Sequence, residues 1–191
     1  MGKLTLILGG ARSGKSTYAE KLAARDGRGV AYIATAQALD EEMQMRIAVH
    51  RHNRPESWQT LEIQSNVGKA LLEAPPPAEV ILLDCLTLLV ANRLMESAPN
   101  VDQPDEAAAA GLVQVEIDDL LKSIQSGPAE WIVVSNEVGL GLVPPYPLGR
   151  IYRDLLGWAN QRLARAADRV VFMIAGVPMR LSPEEDKLRN V

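Results

Sequence analysis

Five short apolar runs recur along the chain, rich in Val, Ile and Leu and without alternating polar positions. Runs of this kind are typical of parallel strands that are covered on both faces. The strands that they predict are residues 4–8, 30–34, 80–83, 131–135 and 170–175.

Between the apolar runs lie stretches in which apolar residues recur every three or four positions, which predicts helices. The predicted helices are residues 16–24, 41–51, 66–73, 107–125 and 150–167. Strands that alternate with helices predict a doubly wound α/β fold with a mainly parallel sheet and helices on both faces. No stretch is long enough to be a linker between domains, so we expect residues 1–191 to form a single domain.

Composition narrows the functional classes. The formal net charge of −4 argues against a general nucleic-acid binder. No apolar run approaches the roughly 20 residues of a membrane span, and the apolar run at the start is too short for a signal peptide. We therefore expect a soluble cytoplasmic protein without a membrane or nucleic-acid partner.

Histidine and cysteine are scarce. Cys85 is the one cysteine, and His50 and His52 are the two histidines. A single cysteine excludes an intrachain disulfide framework and any Cys-based zinc finger. If the protein uses histidine chemistry, the catalytic residue must be His50 or His52.

Residues 9–16 read GGARSGKS and match the phosphate-loop pattern G-x-x-x-x-G-K-S. A predicted strand precedes this motif and a predicted helix follows it, which is the context that a phosphate loop requires. We expect Lys15 to reach the β- and γ-phosphates of a nucleotide and Ser16 to ligate Mg²⁺. The alternative interpretation is a Gly-rich turn that matches the pattern by chance.

A second nucleotide feature is Asp84, which ends the apolar run VILLD at 80–84. A buried strand that ends in Asp places a carboxylate near the Mg²⁺ end of a phosphate loop. The alternative is an acidic residue at an ordinary strand end. Cys85 follows directly, and we interpret it as a small buried thiol.

The segment 46–58 holds both histidines and, within nine residues, three arginines. One interpretation is a solvated helix end, where cationic side chains are favourable. The other is a phosphate-handling patch, in which Arg binds anionic oxygens and a neutral His attacks phosphorus. Composition alone leaves both interpretations open.

These motifs, in this order, resemble the bifunctional adenosylcobinamide kinase/adenosylcobinamide-phosphate guanylyltransferase family of cobalamin biosynthesis. The most specific part is the phosphate loop combined with the R-I-x-x-H-x-x-x-R-P-x-x-W segment at 46–58. Further matching segments are YIATA at 32–36, LDCLT at 83–87, SNEVG at 135–139 and NQRLA at 160–164. The resemblance extends from about residue 4 to about residue 180.

The resemblance implies a RecA-like P-loop nucleoside triphosphate hydrolase fold and a homotrimer. It implies that the enzyme phosphorylates adenosylcobinamide with ATP or GTP. The enzyme then transfers GMP from GTP to adenosylcobinamide phosphate, which requires Mg²⁺ and releases pyrophosphate. The GMP passes through a phosphoramidate on a histidine, which the family motif places at His50, with His52 as a neighbour.

The resemblance also implies a set of site residues. The catalytic residues are His50 and Lys15, and the metal ligands are Ser16 and Asp84. The nucleotide-binding residues are Gly9, Gly10, Ala11, Arg12, Ser13, Gly14, Lys15, Ser16, Ala34, Thr35, Ala36, Arg51, His52, Asn53, Arg54, Glu62 and Asp84.

Two other functions fit the phosphate loop. One is a small-molecule P-loop kinase in which the histidine segment only contacts substrate and no guanylyl transfer occurs. The other is a nucleotide-dependent switch subunit that acts through a protein partner. Retention of label from α-labelled GTP on the protein distinguishes the guanylyltransferase from the kinase, and formation of adenosylcobinamide-GDP by the purified chain excludes the switch subunit.

Overall fold

A mixed sheet of seven strands forms the centre of the structure, a computed structural model that describes residues 2–37, 45, 54–98, 100 and 102–181. The strands are β1 (Leu4–Gly9), β2 (Val30–Ala34), β3 (Gln59–Glu62), β4 (Val80–Asp84), β5 (Glu130–Val134), β6 (Arg169–Ile174) and β7 (Val177–Leu181). Their order across the sheet is β3-β2-β4-β5-β1-β6-β7. All neighbouring pairs are parallel except β6 and β7, which form an antiparallel hairpin.

Helices cover both faces of the sheet. They are α1 (Lys15–Ala23), α2 (Val67–Glu73), α3 (Leu86–Ser97), α4 (Glu106–Ser126) and α5 (Pro147–Ala166), with a short 3₁₀ turn at Arg25–Gly27. Helices α2 to α5 pack on one face, and α1 packs on the other. None of the helices in this described part of the chain has the length and apolar character to span a bilayer.

This architecture confirms the predicted α/β fold with a mainly parallel sheet and helices on both faces. Strand β5 lies between β1 and β4, a separation of the two nucleotide motifs that is consistent with the RecA-like order. The five predicted strands correspond to β1, β2, β4, β5 and β6, and four predicted helices correspond to α1, α2, α4 and α5. Helix α5 begins three residues earlier than predicted, at Pro147, because the fixed φ of proline suits the first turn of a helix.

The remaining predicted helix, residues 41–51, lies outside the described residues except for Met45. Strand β3, helix α3 and strand β7 were not predicted from the sequence. Strand β3 is a short edge strand with no fully buried residue, and β7 is exposed at every position, so neither has the apolar signature of a buried strand. Helix α3 begins two residues after β4, so only Asp84 and Cys85 separate its apolar residues from those of the strand.

Helix α2 lies directly against α4 at Gly68. A Cβ atom added to Gly68 would overlap the backbone of Asp119 and Leu120. At the start of α2, the backbone N–H groups of Asn66 and Val67 donate to the carboxylate of Glu116 on α4 (2.6 and 2.8 Å). The close approach and the cap together fix α2 on α4, because a helix end needs partners for its free N–H groups.

We expect Gly68→Ala to lower the free energy of unfolding by about 1–3 kcal/mol, because the added methyl group forces the two helices apart. Gly111→Ala is the matched control: it lies in α4, and an added Cβ there meets no atom within 4 Å. The control should gain about 0.5–1 kcal/mol, since Ala is a better helix former than Gly. Urea denaturation of both variants measures this difference, and equal stabilities would contradict the proposed close packing.

Candidate active site

The phosphate loop connects β1 to α1 and closes on itself. Nζ of Lys15 donates a hydrogen bond to the carbonyl oxygen of Gly10 (2.6 Å). Gly14 has a positive φ of 92°, which glycine adopts without strain, and α1 begins at the next residue. The β6–β7 turn supports the loop from outside, because the N–H of Gly176 donates to the carbonyl oxygen of Ser13 (3.0 Å).

A cavity of about 500 Å³ opens beside this loop. Its lining consists of residues 11–17, from the loop and the first turn of α1, together with Asp84, Cys85, Val134 and Asn136. The size is in the range of small-molecule sites in proteins. Oγ of Ser13 is buried and has no hydrogen-bond partner among the described residues, so the loop retains a donor for a ligand.

Lys15 and Asp84 face the same cavity from different elements. Burial lowers the pKa of Lys15, and the neighbouring Cys85 and Asp84 oppose that shift. The carboxylate of Asp84 accepts a hydrogen bond from the hydroxyl of Tyr32 (2.9 Å). A cationic side chain and a carboxylate at one cavity are what a phosphate loop and its metal require.

The cavity suits Mg²⁺ better than a metal that is held entirely by protein. Asp84 and Ser16 supply a carboxylate and a hydroxyl, which are the hard oxygen donors that Mg²⁺ prefers. Within the described ranges, no group of three His, Cys, Asp or Glu side chains is close enough to hold a metal. Mg²⁺ typically combines one or two protein ligands with substrate phosphates and water, so these residues fit that ion.

The ends of β2 and β4 are tied together at Thr35. Its hydroxyl donates to the carbonyl oxygen of Cys85 and accepts from the N–H of Cys85, both at 2.8 Å. The amide of Asn92 on α3 donates to the carbonyl oxygens of Thr35 (2.9 Å) and Gln64 (2.8 Å). The Thr35 side chain is therefore occupied within the protein, and a nucleotide contact by Thr35 stays a prediction.

The predicted site residues fall into three groups by their position in the structure. Gly9 to Ser16 form the loop, and Asp84 lies across the cavity from it. Ala34, Thr35, Ala36 and Glu62 lie at or just after the ends of β2 and β3, farther along the same edge of the sheet. His50, Arg51, His52 and Asn53 lie outside the described residues.

Arg54 is the first described residue after the two histidines, and it ends the part of the chain that carries the clustered His and Arg, residues 46–54 (the histidine segment). Its guanidinium carbon lies 3.4 Å from the centre of the Tyr32 ring, a close cation–π contact. Tyr32 in turn donates to Asp84. The structure thus brings the end of the histidine segment close to the cavity, within two contacts of Asp84.

Asn136 lines the cavity but was not among the predicted site residues. Its N–H donates to Oγ1 of Thr87 (2.7 Å), and its carbonyl oxygen accepts from the side-chain amide of Asn160 (3.0 Å). Oδ1 of Asn160 accepts from the hydroxyl of Ser135 (2.7 Å). The signal that could have found Asn136 is its place two residues after β5, because parallel strands end at one edge and carry binding residues there.

Cys85 follows Asp84 at the cavity wall. Part of the residue reaches the cavity, but burial of its thiol and the charge of Asp84 raise its pKa to about 12. The reactive form of cysteine is the thiolate. This agrees with the interpretation of Cys85 as a buried thiol.

A parallel sheet, a strand–loop–helix phosphate loop and an Asp across the cavity define a P-loop protein with a nucleotide substrate. A family model described as "Cobinamide kinase / cobinamide phosphate guanyltransferase" matches residues 5–181. The chain belongs to this family, which carries out the kinase and guanylyltransferase steps on cobinamide.

Curated relatives agree with the family assignment. The chain is 41% identical to the bifunctional adenosylcobalamin biosynthesis protein CobU of Escherichia coli, over 93% of this chain and 99% of that protein. It is 45% identical to the bifunctional adenosylcobalamin biosynthesis protein CobP of Pseudomonas aeruginosa, over 94% of this chain and 97% of that protein. Among solved structures, the match to the RadB recombinase covers 90% of this chain and 74% of the recombinase chain, with 17% sequence identity and a TM-score of 0.49.

We expect the thiol of Cys85 to react with iodoacetamide at pH 8 at least about 100-fold more slowly in the native protein than in urea. The reason is that the raised pKa leaves almost no thiolate in the folded state. Because Cys85 is the only cysteine of the chain, mass spectrometry of the intact protein reads its modification directly. Equal rates in native and denatured protein would contradict this account.

Proposed function

We propose that this chain catalyses two successive reactions on adenosylcobinamide, first phosphorylation and then guanylylation of the new phosphate. The observation that carries the proposal is the convergence of Lys15, Ser16 and Asp84 on one cavity in a chain of this family. A phosphate loop with a facing Asp supports phosphoryl transfer, and the names of the relatives support action on a corrinoid.

In the kinase step, the hydroxyl oxygen of adenosylcobinamide attacks the γ-phosphorus of ATP or GTP. The bond from the γ-phosphorus to the bridging oxygen breaks, and the nucleoside diphosphate leaves. Lys15 would bind the β- and γ-phosphates, with the backbone N–H groups of the loop and the start of α1 around them. Mg²⁺ held by Ser16 and Asp84 would neutralise the charge that develops on the phosphate oxygens.

In the guanylyltransferase step, a neutral ring nitrogen of His50 attacks the α-phosphorus of GTP, and pyrophosphate leaves. A phosphate oxygen of adenosylcobinamide phosphate then attacks the same phosphorus, the N–P bond breaks, and adenosylcobinamide-GDP forms. The covalent intermediate divides one difficult transfer into two easier ones. Arg51 and Arg54 would bind phosphate oxygens, with His52 and Asn53 beside them.

We assign the guanine base of GTP to the end of β3, which lies at the same edge of the sheet as the phosphate loop but farther along it. Glu62 ends β3, and its carboxylate can accept hydrogen bonds from the N–H edge of guanine. The pairing of Ala34 with Glu62 and the hydrogen bond from Ile63 N–H to the Ala34 carbonyl (3.0 Å) fix Glu62 beside the end of β2. A nucleotide in this site would lie along the ends of the strands. The homotrimer stays a prediction.

We expect Lys15→Ala to lower the kinase rate at least about 100-fold, because a cationic donor to the transferred phosphate is lost. Lys21→Ala is the matched control: it lies on the exposed side of the same helix and should retain the parental rate. The measurement is formation of phosphorylated adenosylcobinamide with ATP and with GTP. An unchanged rate in Lys15→Ala would mean that the phosphate loop does not serve this reaction.

We expect purified protein to retain label from α-labelled GTP in an acid-labile, base-stable bond, as a phosphoramidate requires. His50→Ala should abolish the label and His52→Ala should retain it, with peptide mass mapping to place the modification. Both variants should keep the kinase activity, since that step needs no histidine nucleophile. Label on His50→Ala, or no label on the parental protein, would refute the histidine intermediate.

A further inference from the structure

Tyr32 lies between two parts of the proposed site. It is only 2% exposed, and it is buried beneath α1 on the face of the sheet that this helix covers. Its hydroxyl donates to Oδ2 of Asp84 (2.9 Å), and its ring carries the guanidinium of Arg54 at 3.4 Å. One side chain therefore contacts the proposed metal ligand and the residue that closes the histidine segment.

The contact with Asp84 fixes the direction of the carboxylate. Strand pairing restrains both partners, because β2 and β4 are neighbours and Ala34 pairs with Asp84. With Oδ2 held by Tyr32, the carboxylate can present its other lone pairs to the cavity. Groups that orient a metal ligand in this way commonly change metal affinity 10–100-fold when removed.

The contact with Arg54 fixes the end of the histidine segment. Nε of Arg54 is buried and has no hydrogen-bond partner among the described residues, so the face of the Tyr32 ring is a principal contact for the guanidinium. Arg54 follows His50 by four residues. Beyond Arg54, a turn closed by Trp58 N–H and the Pro55 carbonyl (3.0 Å) leads into β3, which pairs with β2. The exit of the segment is thus held against β2 at Tyr32 and again at the start of β3.

We propose that Tyr32 is a positioning residue that orients Asp84 through its hydroxyl and holds Arg54 through its ring. The inference rests on the proposed function, in which Asp84 binds Mg²⁺ and the histidine segment accepts GMP. The two roles use different atoms of one side chain. Substitutions that remove the oxygen alone, or the ring as well, therefore separate them.

The hydroxyl role is tested by Tyr32→Phe, which removes one oxygen and keeps the ring. We expect the Mg²⁺ concentration for half-maximal binding of a fluorescent GTP analogue to rise about tenfold, with binding in EDTA unchanged. Tyr152→Phe is the matched control, because that hydroxyl donates to the Thr87 carbonyl (3.3 Å) rather than to Asp84. It should keep the parental Mg²⁺ dependence. Asp84→Asn shows how far the Mg²⁺ concentration for half-maximal binding changes when the proposed metal ligand itself is lost.

The ring role is tested by the rate at which the protein takes up label from α-labelled GTP at saturating Mg²⁺. We expect Tyr32→Phe to label at the parental rate and Tyr32→Leu to label at least about tenfold more slowly, because only the second variant loses the face under Arg54. Tyr32→Met also removes the ring but leaves Arg54 itself unchanged, and it should slow labelling to a similar extent. That variant tests the same contact if Tyr32→Leu does not fold by circular dichroism.

The outcomes separate this inference from the proposed function. If Asp84→Asn weakens Mg²⁺-dependent binding and Tyr32→Phe does not, the hydroxyl role is refuted while Asp84 keeps its assignment. If Asp84→Asn also has the parental Mg²⁺ dependence, the metal assignment fails and the hydroxyl role fails with it. Equal labelling rates in Tyr32→Phe and in Tyr32→Leu or Tyr32→Met refute the ring role.

Discussion

Because β1, β5 and β4 run parallel and pair side by side, the phosphate loop and Asp84 emerge at the same edge of the sheet. Ile7 pairs with Val134, and Val134 pairs with Asp84, so the three strands end in register. Neighbouring strands are separated by about 4.8 Å, which places the backbones of β1 and β4 roughly 10 Å apart. That separation forms a cavity between the loop and the carboxylate, and Lys15 is long enough to act within it.

Polar contacts help to hold the segments that follow the strands. Thr35 bonds both backbone groups of Cys85, Asn92 bonds the carbonyls of Thr35 and Gln64, and Thr87 bonds the N–H of Asn136. Partly buried backbone groups that leave a sheet need partners, and these side chains provide them. A satisfied network of this kind holds the edge rigid, which favours a site that must position phosphate groups precisely.

Local sequence patterns predicted the elements whose residues are buried regularly, and they failed where burial or length was unusual. Five strands and four helices were found because each has an apolar run or a helical stripe. Strand β3 has four residues on the outer edge, and β7 is exposed throughout, so pairing with a neighbour rather than apolar pattern creates them. Helix α3 follows β4 after only two residues, and periodicity does not separate a strand from a helix when two apolar stretches lie so close together.

Within the candidate site, some residues could be predicted from local motifs, and others depend on contacts between distant parts of the chain. The phosphate loop and Asp84 carry local motifs, and the structure brings them to one cavity, while their binding roles stay predictions. Tyr32 belongs to the matching segment YIATA, but that segment gives its side chain no role, and its local pattern is that of one more apolar position in a buried strand. Its contacts depend on the pairing of β2 with β4, 52 residues away at Asp84, and on the return of the chain to Arg54. A residue that packs in the core and also contacts two site residues cannot be distinguished from an ordinary core aromatic until the strand order is known.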